Sequence, residues 1–240
     1  MKFMLRSIKK LYGDKLGASD GDIGRVKDFY FDDQSWAVRY VVADTGIWLT
    51  GRQVLLSPHA FGSLNQDGKA LLVNLTREQI EASPSIESHE PVSRQYEKEY
   101  YRYYGWPSYW QGDGLWGMSG FPILELPTKP PLNEHTAAVD SKRKHTDTHL
   151  RSTQAVNGYH IKASDGIIGH VCDFMMDDQS WVIGQFVVKT GHRFTGKEVQ
   201  IPTSKVDRIS YEDSTVFVNL TKEAVEQSPA HHLIPFGAID

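Results

Sequence analysis

Two adjacent carboxylate pairs, Asp32-Asp33 and Asp177-Asp178, are the side chains of this sequence best suited by type to do chemistry. Paired acids can hold a divalent cation through their oxygens, or divide the roles of acid and base between them. Each pair runs on into Gln-Ser-Trp, and Asp28 and Asp173 stand upstream as the one obvious extra ligand. A cation asks for more oxygens than that. A polar Asp-Asp-Gln-Ser run between apolar stretches reads instead as a hairpin turn, where Asp accepts local backbone bonds. His170-Val171-Cys172 would put imidazole and thiol on one face of a strand, half of a zinc site with no second pair of ligands. Cys172 is the single cysteine, so no internal disulfide forms, which suits a reducing compartment. None of the ten histidines recurs at an equivalent position of the internal repeat described below: His59 faces Ser204, His160 faces Lys15, His170 faces Arg25 and His192 faces Ile47. His231-His232 reads as part of a polar tail. There is no Gly-x-Ser-x-Gly elbow and no phosphate loop ending in Gly-Lys-Ser/Thr. Gly21-Asp22-Ile23-Gly24 is glycine-rich but falls in a hairpin rather than before a helix. The sequence therefore assigns no catalytic residue, no cofactor and no metal, and reads as a protein that is not an enzyme.

A different chemistry lies in the middle of the chain. Ten aromatic residues fall between Tyr96 and Phe121. Tyr96, Tyr100 and Tyr103/Tyr104 have helical spacing, and Gly105-Trp106-Pro107-Ser108-Tyr109-Trp110 and Leu115-Trp116 follow. Left in water, so many rings would expose an apolar patch of several hundred Å². Tyr100, Tyr104, Trp106, Trp110 and Trp116 are therefore expected to be covered, by this chain's own barrels, by a second copy or by another protein. Stacking on single-stranded nucleic acid is disfavoured, because Arg94, Lys98 and Arg102 are offset by Glu90, Glu97 and Glu99.

What positions these residues is a duplication. Residues 5–84 and 150–229 align without a gap at an offset of 145, with 32 of 80 positions identical. The longest shared blocks are Ser19-Asp20-Gly21, Asp32 to Trp36 and Val73 to Thr76 with their counterparts. Each copy reads as short strands between turn signals: a long strand over 23–31, a polar turn, a return strand over 36–43, two short strands through 54–56, and a closing strand over 71–75. In the return strand Trp36, Val38, Tyr40 and Val42 share one face and supply the candidate core. Trp36 and Trp181 are expected to be core or core-rim residues. Positions 39 and 40 change to Gly184 and Gln185 in the second copy, which places the two copies against different neighbours. Thr76 opens a short helix with Gln79 at capping-box spacing, and Thr221 opens its counterpart with Ala224 at that position. The expected domains are a first repeat over 1–86, a linker over 87–149 and a second repeat over 150–240. Within the linker a helix is expected over 91–104, an aromatic segment over 105–121 and a mobile stretch over 127–148.

At 240 residues the chain has room for two small domains. Its net charge of −4 and its pI near 6.2 lack the basic excess that phosphate binding demands. The N-terminus reads as the first strand of the first repeat rather than a signal peptide. No run of 18 apolar residues occurs.

The ordered set Leu5-Arg6-Ser7, Gly21 to Phe29, Asp32 to Trp36 and Asn74-Leu75-Thr76, repeated from Leu150 to Thr221, resembles the PRC-barrel family. The resemblance covers about two thirds of the chain. It implies a mainly β fold of two small barrels joined by a short helix and an aromatic connector. The family includes the cytoplasmic domain of the photosynthetic reaction-centre H subunit and the C-terminal domain of a ribosome-maturation factor. In both settings the barrel is a docking module without known catalysis, and the chain resembles bacterial tandem barrels with an aromatic linker. The resemblance thus implies a non-catalytic, cytoplasmic interaction or assembly protein, docking to a membrane-associated complex of photosynthetic type as a peripheral partner. The alternative is an RNA-processing or ribosome-assembly adaptor. The protein partner is not named by the sequence, and a homodimer is favoured slightly over a monomer.

Overall fold

A computed structural model describes residues 4–61, 70–84, 92–123, 150–191 and 196–228. The expected mobile stretch over 127–148, His192 and His231-His232 lie outside the described residues. The first repeat runs β1 (Leu5–Ser7), α1 (Ile8–Leu11), β2 (Lys15–Ala18), β3 (Gly21–Asp32), β4 (Val38–Asp44), β5 (Gln53–Leu56), a 3-10 turn (Pro58–Ala60), β6 (Ala70–Leu72) and α2 (Arg77–Glu81). The connector contributes α3 (Arg94–Tyr104). The second repeat runs β7 (Leu150–Ser152), α4 (Thr153–Val156), β8 (His160–Ala163), β9 (Gly166–Asp177), β10 (Ile183–Thr190), β11 (Glu198–Pro202), a 3-10 turn (Thr203–Lys205), β12 (Val206–Ser210), β13 (Thr215–Val218) and α5 (Lys222–Glu226). The fold is mainly β, in two sheets ordered β5-β4-β3-β2-β6 and β11-β10-β9-β8-β13-β12. Neighbours are antiparallel except β2 with β6 and β8 with β13.

The shared blocks have local reasons. Ser19 and Ser164 donate their hydroxyls to Leu75 O and Leu220 O, and Asp20 and Asp165 accept from the backbone N–H of Arg77 and Lys222. One turn thus ties down the closing strand and the start of the last helix. Thr76 and Gln79 form both halves of a capping box, whereas Thr221 makes only its bond from Ala224 N. Gly24 has φ near +132°, and a Cβ there would lie 2.0 Å from Asp44 O. Gly169 meets Lys189 O at the same distance. The glycines of this hairpin are there for close approach of two backbones. Asp32 and Asp177 each accept two backbone N–H groups of their turn, and Trp36 and Trp181 close it at φ near +60°.

The first strand of each repeat does not stay with its own sheet. β1 pairs with β9, Leu5 opposite Asp177 and Ser7 opposite Met175. β7 pairs with β3, Leu150 opposite Asp32 and Ser152 opposite Tyr30. The repeats therefore exchange strands reciprocally about a pseudo-two-fold axis. Near it Ala37 bridges Val182, Val38 N bonds Trp181 O and Ile183 N bonds Trp36 O. Trp36 meets Phe186 edge-on at 5.5 Å, and Phe31 packs on Phe174. Trp181 is buried and Trp36 half-buried.

Each exchanged strand is clasped by a buried aspartate. The Asp28 carboxylate accepts from Ser152 Oγ, Thr153 Oγ1 (2.9 Å), Gln154 N (3.1 Å) and Phe29 N (2.8 Å). Burial raises its pKa above the usual carboxylate value, against these donors, which lower it. Asp173 accepts from Ser7 Oγ (2.5 Å), Lys9 N (2.9 Å) and Phe174 N (2.7 Å). Outside the clasps, Arg6 pairs with Asp178 and Arg151 with Asp33, which also accepts from Tyr211.

Candidate protein-docking site

The expected helix over 91–104 starts three residues later, at Arg94, because Ser93 is its cap: its hydroxyl accepts from Tyr96 N. It ends on Gly105, at φ 70°, where Gly105 N bonds Arg102 O and Trp106 N bonds Tyr101 O in a Schellman motif. That turn folds Trp106 back flat on Tyr104, with ring centroids 4.4 Å apart. Downstream, Gly114 and Gly117 form a tight bridge that presents Leu115 and Trp116.

The helix and this hairpin lie on β4, β5 and the 3-10 turn of the first repeat. Tyr100, Tyr104, Trp106 and Trp116 are buried there, as are Tyr101 and Tyr109, while Trp110 is half-buried. The cover is thus supplied by the same chain. The Tyr100 hydroxyl donates to Leu55 O at 2.9 Å and accepts from Ser57 N at 3.0 Å. β5 is the end strand of its sheet, so this one hydroxyl serves a donor and an acceptor that a further strand would otherwise take. Tyr96 and Tyr103 donate to Pro84 O and Gln79 O. Trp116 Nε1 donates to Ser180 O of the second repeat, so the connector reaches across the seam.

A charged network that the aromatic spacing did not reveal sits beneath the rings. Glu97 is fully buried; it accepts from Tyr40 OH (3.1 Å) and Tyr109 OH (2.7 Å) and pairs with Arg94 at 3.0 Å. Arg39 is 3 % exposed; it donates to Leu115 O and Ser35 Oγ and lies 3.8 Å above the Tyr109 ring. Burial drives the pKa of Tyr40, Tyr100, Tyr101 and Tyr109 upward, so all four stay protonated donors. His59, also buried, makes a 2.9 Å contact with Ile123 O through Nδ1 and packs among Tyr101, Trp106 and Trp116. Glu97 could have been found by spacing, since Glu97, Tyr101 and Tyr104 lie at i, i+4 and i+7 of one helical face.

This network corrects the expected core face of β4. From Val38 to Ala43 every residue is buried, on both faces, because the connector covers what would have been the solvent side. Strict alternation also fails: Tyr30 pairs with Tyr40 but Phe31 with Val38, so Arg39 is an extra bulged residue, as Gly184 is in the second copy. A second bulge falls at Cys172, between the pairs Val187 with Asp173 and Val188 with Val171. The Cys172 thiol donates to Val187 O at 3.4 Å, and burial pushes its pKa up to about 11. No group of three or more possible metal ligands occurs among the described residues.

The Glu97 carboxylate is thus engaged by two tyrosine hydroxyls and a guanidinium group, and the Tyr96, Tyr100 and Tyr103 hydroxyls donate to backbone carbonyls. A comparison with curated proteins finds no match. A family model described as PRC-barrel domain matches residues 7–80 and again 161–225, the two repeats that exchange their first strands. This chain belongs to the PRC-barrel family, which it carries as a tandem pair.

Proposed function

We propose that this chain is a non-catalytic interaction and assembly module, an adaptor that docks to a protein complex. The observation that carries this reading is the fate of the shared acids. Asp28, Asp32 and Asp33, with Asp173, Asp177 and Asp178, are the acids that both repeats keep at the long hairpin. Each is engaged in a turn, a clasp or a cross-repeat ion pair. What duplication retained at these positions serves the hairpin turns and the joint between barrels. Around the connector, Met118, Phe121 and Ile123 are exposed, and so is Ile47 at a hairpin tip of the first repeat. These side chains suit contact with a partner or with a membrane-associated complex approached from its surface. No helix among the described residues is long and apolar enough to cross a membrane.

The test is affinity capture with the full chain, with and without nuclease, followed by reconstitution from purified components. A single protein complex recovered in stoichiometric amount, retained after nuclease and rebuilt with purified chain, is the expected result. RNA recovered in proportion, with binding lost on nuclease treatment, would replace this reading with the RNA-processing or ribosome-assembly one. Substrate turnover by the purified chain would overturn both.

A further inference from the structure

The docked connector has the composition of an interface rather than of a core. From Ser93 to Gly114 the chain contains no Val, Leu, Ile, Met, Phe or Ala. Every large ring it buries on the first repeat belongs to Tyr or Trp. Cores are filled with aliphatic side chains that have no polar end to satisfy. Tyr, Trp and Arg are the residues of protein–protein interfaces, since their polar ends can return to water when the face opens. The barrel side matches them. The end of β5 offers Leu55 O and Ser57 N to a single hydroxyl, and Tyr40 OH offers a donor to a carboxylate one helical turn before it. The second repeat offers neither: Gln185 replaces Tyr40, and Pro202, which has no N–H, replaces Ser57.

We propose that the β4–β5 face of the first repeat is a docking site for an amphipathic helix of the form Glu-x-x-Tyr. Glu97 and Tyr100 of the connector are its occupant in cis, and a partner helix of the same chemistry displaces them. This rests on the binding reading above and names the surface that does the binding. The carboxylate meets Tyr40, the tyrosine hydroxyl closes the strand end, and the aromatic flank of Tyr104 and Trp106 excludes water around both.

Two measurements on the full chain test it. In native-state hydrogen exchange, the amides of residues 100–106 should open locally, exchanging at least tenfold faster than those of the β3–β4 ladder and independently of low denaturant. If they exchange only with global unfolding, the connector is fixed structure and the proposal fails. Second, a fluorescent synthetic peptide of residues 92–123 should bind the Tyr100→Phe chain at least tenfold more tightly than wild type, because the cis helix is loosened and the face is intact. The same peptide should lose that advantage on a chain that also carries Ser57→Pro. Local opening without peptide binding overturns the proposal. Should Tyr100→Phe fail to fold, the exchange measurement and peptide binding to wild-type chain, weak but abolished by Ser57→Pro, decide it. Stoichiometric capture of a complex by a chain whose α3 never opens would sink this site alone and leave the assembly reading on other surfaces.

Discussion

Removing the Asp28 carboxylate should loosen the whole molecule. Three of its four donors, Ser152 Oγ, Thr153 Oγ1 and Gln154 N, come from the other repeat. Hydrogen bonds to a charged group contribute about 1.5–3 kcal/mol each, and burying the carboxylate offsets a large part of that sum. Asp28→Ala leaves the Thr153 hydroxyl and the Gln154 amide short of an acceptor and should cost about 2–4 kcal/mol. Asp173→Ala cuts two cross-repeat bonds rather than three, from Ser7 Oγ and Lys9 N, and should cost less. Asp28→Asn keeps one acceptor oxygen and should recover part of the loss. Urea unfolding followed by tryptophan fluorescence and by far-ultraviolet circular dichroism measures all three. Trp36 and Trp181 straddle the seam, and with the other four tryptophans they make fluorescence a joint report on the seam, the first repeat and the connector. Wild type should unfold in one transition by both probes. A cost below about 0.5 kcal/mol for Asp28→Ala, or a larger cost for Asp173→Ala, would refute the argument that these clasps hold the exchanged strands.

Three further outcomes follow from local geometry. Tyr40 and Tyr100 have pKa values raised well above the ordinary value near 10, so the unfolded chain loses these protons first. Their contribution is fully present below about pH 10 and lost as pH rises beyond it; melting temperature should fall steeply there, and tyrosinate absorbance should rise only with unfolding. Cys172, with its pKa pushed up to about 11, should react with a disulfide reagent at pH 8 on the order of a hundredfold more slowly than a free thiol, and at the free rate in denaturant. A fast native reaction would mean that the thiol is open. Gly24→Ala drives a methyl to 2.0 Å from Asp44 O and should abolish or cripple folding, whereas Gly13→Ala meets open space and should cost about 1 kcal/mol for its positive φ. Equal expression and stability of the two variants would contradict the close-approach reading.

The duplication, the long hairpins and the helix caps were legible because each rests on local signals: Gly at close approaches, Asp in turns, Thr and Ser before helices. The change from Arg39-Tyr40 to Gly184-Gln185 was legible as a change of neighbour, and the connector is that neighbour. The exchange of β1 and β7 was not. Leu-Arg-Ser meets Asp28 and Asp33 in one copy and Asp173 and Asp178 in the other, so the sequence reads the same whether the strand stays or crosses. Alternation failed at Arg39 because a bulge shifts every later residue by one. Glu97 was read as charge balance, since a carboxylate has no apolar signature; only its helical spacing with Tyr101 and Tyr104 marks it as interior.

Reciprocal exchange between two like halves is the architecture of a homodimer, written here in one chain. Two separate copies would fall apart on dilution. The linker over 87–149 holds them at an effective concentration set by its length, on the order of millimolar, at any protein concentration. Fusion also removes an obligation that symmetry imposes. In a homodimer an arginine at position 39 would appear twice and demand two connectors. With one chain there is one connector, one Arg39 and one Glu97, and the second repeat is free to carry glycine and proline where the first has Arg39 and Ser57. The pair has thereby become directional, with two barrels of one fold and a single face that holds the connector.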